Sequence, residues 1–563
     1  MAAGIAALYG QGIPAGEGRA MNANLVAVFL SRHAGHEAKP TWLWQGETVC
    51  TFGELPSAIG RYRAALAQLG VQRGDRVMIK AENSPDFALT YLAVLASGAI
   101  AVPVNPAYTA SELAMLIEDA EPVLLVHGSA TAVPEGELPQ RMTLEPDGSG
   151  TLPALAAGLE PDLRVEVMAE TDLAAILFTS GTTGRPKGAM LMHRNLSSNV
   201  AALFEAWQFS NADSILHALP LFHAHGLFVA LHLGLYSAAT VHLLPKFDAA
   251  KVVSLLPTVS VFMGVPTFYT RLLERADFGR EAVRNIRLMI CGSAPLLPSV
   301  FAEIEARTGH RILERYGMTE AAMITSNPYA PEGRIPGTVG YPLPGVELRI
   351  VGGEPRTELP AGEVGEIEIR GPNLCAGYWR RPQATAEAIG PDGFFVTGDT
   401  GFKDETGRVT IAGRSKDLII SGGFNIYPAE LEMVLAEVDG VADVAIIGVP
   451  HPDFGEGVVA VVTAARDDLD PAAIETVARE KLARFKQPKA IRIVPEFPRN
   501  AMGKVLKAEL RKQFAGLFSG EGQIGRDERI RTTSVAACGG AQQKRRRFRG
   551  AKRCIGGQER RLK

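Results

Sequence analysis

The segment Ile176–His193, ILFTSGTTGRPKGAMLMH, runs from an apolar stretch into a loop of glycine, threonine, serine and a single lysine, then turns apolar again. Glycines leave backbone N–H groups open, and hydroxyl and ammonium side chains add donors, a composition suited to phosphate. Thr179, Ser180, Gly181, Thr182, Thr183, Gly184 and Lys187 are therefore candidate phosphate ligands. A Walker A loop needs Gly-Lys followed by Ser or Thr, and then a helix. Here Gly188 follows Lys187, and GAMLMH reads as a second strand, so the loop is of another kind. Taken alone, the stretch also fits a polar hairpin.

Outward from this loop the chain alternates strands and helices. ELPSAIGRYRAALAQLG (Glu54–Gly70) carries apolar residues at helical spacing and ends on a glycine suited to a C-cap. RVMIK then predicts a strand, DFALTYLAVLASG a buried helix and AIAVPVN a second strand, which together make a βαβ unit. The alternation continues through VHLLP, DAAKVVSLLP, VSVFMGVP, a helix at Thr267–Arg275 and the strand IRLMICGSAP. The fold class is α/β, with parallel sheets. From about Gly337, short strands separated by Gly and Pro predict a β-barrel-like subdomain. After Gly413 a smaller α+β unit follows, with the amphipathic helix AAIETVAREKLARF presenting Ile474, Val477, Ala478 and Leu482 on one face. The expected organisation is a disordered extension (1–20), a large domain (21–413), a small lid domain (414–514) and a disordered basic tail (515–563).

At 563 residues the chain exceeds one core, and 46% apolar with 21% charged residues suits a soluble globular enzyme. No apolar run has transmembrane length; Phe87–Val104 is broken by Ser97, Gly98 and Pro103. The first twenty residues lack the basic n-region of a secretory signal. Cys50, Cys291, Cys375, Cys538 and Cys554 have neither disulfide-framework nor metal-ligand spacing, so a reducing compartment, the cytoplasm, is expected. Residues 521–563 hold 13 Lys and Arg against four Asp and Glu, so the rest of the chain carries a net −12. An acidic body argues against nucleic acid as a partner.

Five further motifs share the chain with TSGTTGRPKG: GSAP (Gly292–Pro295), YGMTE (Tyr316–Glu320), TGD (Thr397–Asp399), GRSKDLIISGGFNIYPAELE (Gly413–Glu432) and PRNAMGK (Pro498–Lys504). In order and separation these resemble the adenylate-forming superfamily of acyl-CoA synthetases, peptide-synthetase adenylation domains and beetle luciferases. The resemblance runs from about Asn22 to Phe514. It implies that a carboxylate attacks the α-phosphate of ATP, and that a thiol then takes the acyl group from the adenylate. No carrier-like sequence follows Phe514, so free coenzyme A is the expected thiol.

The resemblance also implies roles. Lys504 looks like the lysine that bridges the acyl carboxylate and the α-phosphate, a task suited to a point-like ammonium; it also resembles the target of a regulatory lysine acetyltransferase. Glu320 is similar to the magnesium carboxylate, and Thr319 would donate to the α-phosphate. Tyr316, Gly317 and Met318, with Gly292, Ser293, Ala294 and Pro295, would lie around adenine. Asp399 would accept from the ribose hydroxyls, and Arg414 would reach ribose and phosphate. Lys416 falls at the hinge position, because two half-reactions at one site need a moving lid. Gly422 and Gly423 would let backbone approach pantetheine. His223 resembles a gate between the acyl and thiol channels.

The acid is read from LERYGMTE, where Arg315 stands before Tyr316. Beside an aliphatic or aromatic acyl group a buried guanidinium would lack a counter-charge; a second carboxylate would pair with it bidentately. HALPLFHAHGLFVA, MGVPTFYTRLL, CGSAPLL, LERYGMTE and PHPDFGEGV together resemble malonyl-CoA synthetases, implying malonate or methylmalonate as substrate. Arg271 is a second candidate for the distal carboxylate. The alternatives are a pairing of Arg315 with Glu314, and a short-chain or aryl monocarboxylic acid as substrate.

Overall fold

A computed structural model describes residues 22–136, 139–179, 186–421, 424–466, 468–500 and 503–518. The expected extension 1–20 and the tail beyond Phe518 lie outside the described residues.

The predicted βαβ unit forms around helix Pro85–Ala96. Ser84 caps it by accepting from the Phe87 N–H, and Pro85 occupies its first turn. The helix joins strands Arg76–Lys80 and Ile100–Pro103, which pair in parallel. They belong to a six-stranded sheet whose order is Gln140–Thr143, Leu124–His127, Arg76–Lys80, Ile100–Pro103, Leu173–Thr179 and Lys187–Met192. The last two strands close it as an antiparallel hairpin, so the phosphate loop of the opening segment joins strand to strand, as its sequence predicts.

A second sheet of nine strands holds Ser214–His217, Val261–Gly264, Leu288–Cys291 and Leu313–Met318 in parallel neighbourhood. Val261–Gly264 and Leu288–Cys291 are buried along their whole length, the mark of a parallel sheet covered on both faces. Loops leaving the carboxyl ends of Leu288–Cys291 and Leu313–Met318 carry Gly292–Pro295 and Thr319–Glu320. Ligands bind at that edge in open α/β sheets.

The β-rich segment expected from about Gly337 is present. It is an open antiparallel sheet of five strands, from Thr357–Glu358 at one edge to Val409–Arg414 at the other. The first edge strand is two residues long, and the opposite edge is occupied instead by Gly340, which pairs with Val409. Those two edges therefore do not meet.

After the short 3-10 turn Ser415–Asp417 the chain enters a last five-stranded sheet with its own apolar clusters. Ile419, Ile446, Val458 and Ile474 pack in one; Ile447, Val459, Phe497 and Leu510 pack in the other. Ordered packing continues past Phe514: Leu517 and Phe518 join the second cluster, and the Phe518 ring lies 4.7 Å from that of His451. Burial of these two side chains ties down residues that the composition assigned to the tail. No helix among the described residues is long and apolar enough to cross a membrane.

Candidate active site

Thr179 and Lys187 face each other across the antiparallel hairpin, and the Thr179 hydroxyl donates to the Lys187 carbonyl at 3.3 Å. Ser180, Gly181, Thr182, Thr183 and Gly184 lie outside the described residues. The Lys187 ammonium sits 5.1 Å from the ring centre of Tyr378. The Tyr378 hydroxyl in turn donates to Glu320 Oε1 at 3.0 Å. Tyr378 reaches this place because backbone bonds zip its segment onto the hairpin: Trp379 N–H donates to Gly188 and Met190 N–H to Gly377. The phosphate loop and the proposed magnesium carboxylate are thus joined through one phenol. Glu320 is buried, and burial raises its pKa.

The tip of Leu313–Met318 and the third sheet make a second cluster. Tyr316 donates its hydroxyl hydrogen to Asp399 Oδ2 at 2.5 Å, while Arg414 Nε lies 2.8 Å from Asp399 Oδ1. Asp399 and Arg414 are cross-strand partners, so the ion pair is set by register. Burial pushes the Asp399 carboxyl above its ordinary value, against the pull of Arg414, the Tyr316 hydroxyl and Lys504.

Lys504 enters this cluster from the small sheet. It sits in a hairpin turn held by Asn500 N–H donating to the Lys504 carbonyl and by Lys504 N–H donating to Asn500 Oδ1. Its side chain is exposed, yet protein on several sides together with the Arg414 charge lowers its pKa, while Asp399 and Asp417 act the other way. Exposure and a lowered pKa coexist in an ammonium that stands at the surface with protein packed around its stem. Lys416 is likewise exposed, on the Ser415–Asp417 turn. Gly422 and Gly423 lie outside the described residues.

On the acyl side, Arg315 is 4% exposed and, among the described residues, its Nε and Nη2 have no hydrogen-bond partner. The guanidinium lies flat on Gly292, where a Cβ would stand 2.4 Å from Arg315 Cζ. Burial lowers its pKa to about 10, which leaves it a cation at neutral pH. Glu314 does not neutralise it: consecutive strand residues face opposite ways, and Glu314 Oε1 accepts from the Gly337 N–H instead. His223 is half-buried, and burial lowers its pKa to about 4. Arg271 is exposed on helix Pro266–Leu273 and shares none of the burial that singles out Arg315. Ser293, Ala294 and Pro295 continue from Gly292 as a half-open loop.

A family description of AMP-binding enzymes matches residues 30–379, and that of their C-terminal domain matches residues 430–504. The chain belongs to the AMP-binding enzymes. This AMP-binding enzyme is 38% identical over 482 residues to a malonate–CoA ligase of Arabidopsis thaliana, covering 79% of this chain and 78% of the relative. It is 35% identical to a feruloyl-CoA synthase of an Amycolatopsis species, covering 86% of this chain and 98% of the relative. The crystal structure of ATP-bound MatB from Rhodopseudomonas palustris superposes with a TM-score of 0.84 at 44% identity, covering 88% of this chain and all of that one.

Sequence reasoning missed two contributors to the site of this AMP-binding enzyme. Tyr378 carries no motif signal, and its link to Glu320 spans 58 positions. His225 was legible only as the second histidine of HAHG; its place beside Ser293 comes from folding.

Proposed function

We propose that the protein joins malonate, or its 2-methyl derivative, to coenzyme A at the expense of ATP, through an acyl-adenylate. One observation carries the choice of acid. Arg315 is a buried cation with two unpartnered nitrogens, on the strand that also presents Tyr316 to the nucleotide cluster. A distal carboxylate satisfies both nitrogens bidentately. A monocarboxylic acid leaves a buried charge uncompensated, which costs several-fold to many-fold in discrimination. The similarity to a malonate–CoA ligase and to MatB supports the same reading.

In the first half-reaction a carboxylate oxygen bonds to the α-phosphorus, and the bond from α-phosphorus to the bridging oxygen breaks, releasing pyrophosphate. Two anions approach, so cations and oriented donors dominate the barrier. Lys504 at the cleft mouth bridges the carboxylate and the α-phosphate, with Thr319 donating alongside. Lys187 and the loop hydroxyls hold the outer phosphates, while Asp399, oriented by Tyr316 and Arg414, accepts from ribose. Glu320 fits a magnesium ion, since a carboxylate is the hard oxygen ligand that ion prefers and Tyr378 fixes its orientation. When bound, the ion neutralises phosphate charge.

In the second half-reaction the thiol sulfur bonds to the acyl carbon, and the acyl–phosphate bond breaks to release AMP. Lys504 must leave before pantetheine enters, so a pivot at Lys416 between the domains is part of the proposal. An acetyltransferase modifying Lys504 would remove the bridging charge and silence the first half-reaction. Buried free thiols at Cys50, Cys291 and Cys375 support residence in the cytoplasm.

Pyrophosphate release measured with malonate, methylmalonate, succinate, acetate, hexanoate and coumarate tests the assignment. Malonate is expected to lead, and Arg315→Leu to abolish that lead. Strong turnover of hexanoate with none of malonate overturns it.

A further inference from the structure

A flexible lysine side chain is aimed only as well as the backbone that carries it. Around Lys504 the main chain is held at three successive polar atoms. The Gly503 carbonyl accepts from Arg499 Nη1 at 2.7 Å. The Lys504 N–H, on the other side of the same peptide unit, donates to Asn500 Oδ1 at 3.0 Å. The Lys504 carbonyl accepts from the Asn500 N–H at 2.9 Å. A peptide unit is planar. Fixing both polar atoms of one plane and the oxygen of the next leaves the Lys504 Cα–Cβ bond a single direction.

The two bonds from Asn500 close the turn on itself, whereas Arg499 reaches beyond it. Its Nη2 pairs with Asp443 Oδ2. Asp443 lies in strand Val441–His451 of the small sheet, paired there with Thr463, and its Oδ1 accepts from the Val444 N–H at 2.8 Å. Arg499 is itself secured: its backbone bridges to Val505 across the turn, and its guanidinium lies 5.6 Å from the ring centre of buried Phe497. A continuous strut therefore runs from the sheet through Asp443 and Arg499 to the peptide that feeds Lys504.

That peptide needs such support. Gly503 has a φ of +75°, and a glycine gives the chain more conformations than any other residue. The bond to its carbonyl removes this freedom at the position that also meets Thr267 of the large domain. An arginine–aspartate pair this open to solvent adds little to stability. A planar guanidinium can hold two acceptors at once in fixed geometry, which an ammonium does not.

We infer that Arg499 is a positioning residue for the first half-reaction: with Asp443, it fixes the Gly503–Lys504 peptide plane and so aims the Lys504 ammonium. This rests on the proposed bridging role of Lys504 and holds whichever acid is used. Arg499 acts through the backbone, its own charge balanced by Asp443.

The test compares the full-length protein with Arg499→Ala, Arg499→Lys, Asp443→Ala and the Arg499→Ala/Asp443→Ala double variant, each checked for cooperative thermal unfolding. Pyrophosphate–ATP exchange gives kcat and KM for the first half-reaction, using the acid that the wild type turns over fastest. Conversion of supplied acyl-adenylate to thioester reports the second. Arg499→Ala is expected to lower the exchange kcat about tenfold or more, since small misplacements of a reacting group are costly. Its KM for ATP and acid, and its second half-reaction, should stay within about twofold. Arg499→Lys should recover little, because one ammonium does not span both acceptors. Asp443→Ala should lose exchange in the same direction, and the double variant should be no worse than Arg499→Ala, as for two residues in one chain of contacts. Should Arg499→Ala fail to fold, Arg499→Lys and Asp443→Ala decide alone. Wild-type exchange in Arg499→Lys, equal loss in both half-reactions, or additive losses in the double variant overturns the inference while leaving the Lys504 assignment standing. Absence of exchange in the wild-type protein with every acid overturns both.

Discussion

Gly503, the residue before Lys504, stands against Thr267 so closely that a Cβ there would lie 3.0 Å from both Oγ1 and Cγ2 of the threonine. Thr267 belongs to helix Pro266–Leu273 of the large domain. The turn bearing Lys504 is therefore docked on that helix, and its fit depends on a missing side chain. Gly503 also has a φ of +75°, so a side chain is strained there even before contact. Gly503→Val should lower pyrophosphate–ATP exchange about tenfold or more, while conversion of a supplied acyl-adenylate to thioester changes little. Exchange at the wild-type rate would show that this docking is not used in the first half-reaction.

Lys504 is exposed, so truncating it removes charge without opening a core. Lys504→Ala should retain the wild-type thermal midpoint and lose roughly 100-fold or more in pyrophosphate–ATP exchange, the scale seen when an oriented electrostatic group is removed from a reacting centre. The thioester half-reaction, started from acyl-adenylate, should survive. Equal loss in both halves would contradict a role confined to adenylation.

Tyr378→Phe keeps the ring beneath Lys187 and deletes only the hydroxyl that bonds Glu320 at 3.0 Å. Groups that orient a metal carboxylate commonly affect metal affinity by about tenfold or more. Activity titrated with magnesium should reach half-maximum at a several-fold higher concentration in the variant, with the malonate KM unchanged. A shift in the malonate KM alone would detach Tyr378 from Glu320.

Glu314 is buried, and burial raises its pKa to about 8. The folded form therefore holds a proton between its ordinary carboxyl range and pH 8, while the unfolded chain has released it. Under linkage, stability falls as pH rises across that window and levels off above it. Glu314→Gln keeps an acceptor for the Gly337 N–H and cannot ionise. The wild-type thermal midpoint should drop relative to the variant's between about pH 5 and pH 8. Parallel curves for the two proteins would show that Glu314 is ionised in the fold.

Much of this architecture was legible before any coordinate. Arg76–Lys80, Pro85–Ala96 and Ile100–Pro103 announce themselves because apolar runs punctuated by Ser-Pro and Gly have few other ways to bury themselves. The phosphate hairpin followed from Gly188, where a Walker A loop requires Ser or Thr. What borders the Val409–Arg414 edge was not legible, because it depends on Gly340, almost seventy positions earlier. Order through Phe518 was hidden because a tail's composition does not reveal that two of its apolar side chains reach a nearby core.

The chain's linear chemistry determined which groups exist for adenylation: an ammonium near the end, carboxylates in YGMTE and TGD, and hydroxyls in the glycine loop. Local spacing sets these, since each motif is short enough for its own backbone to arrange. Tertiary structure decided which of them act together, because partnership depends on distance across sheets rather than along the chain. Register set Arg414 on Asp399, and a zipped segment brought the Tyr378 phenol to Glu320. Burial, which no stretch of sequence contains, left Arg315 Nε and Nη2 without a partner among the described residues.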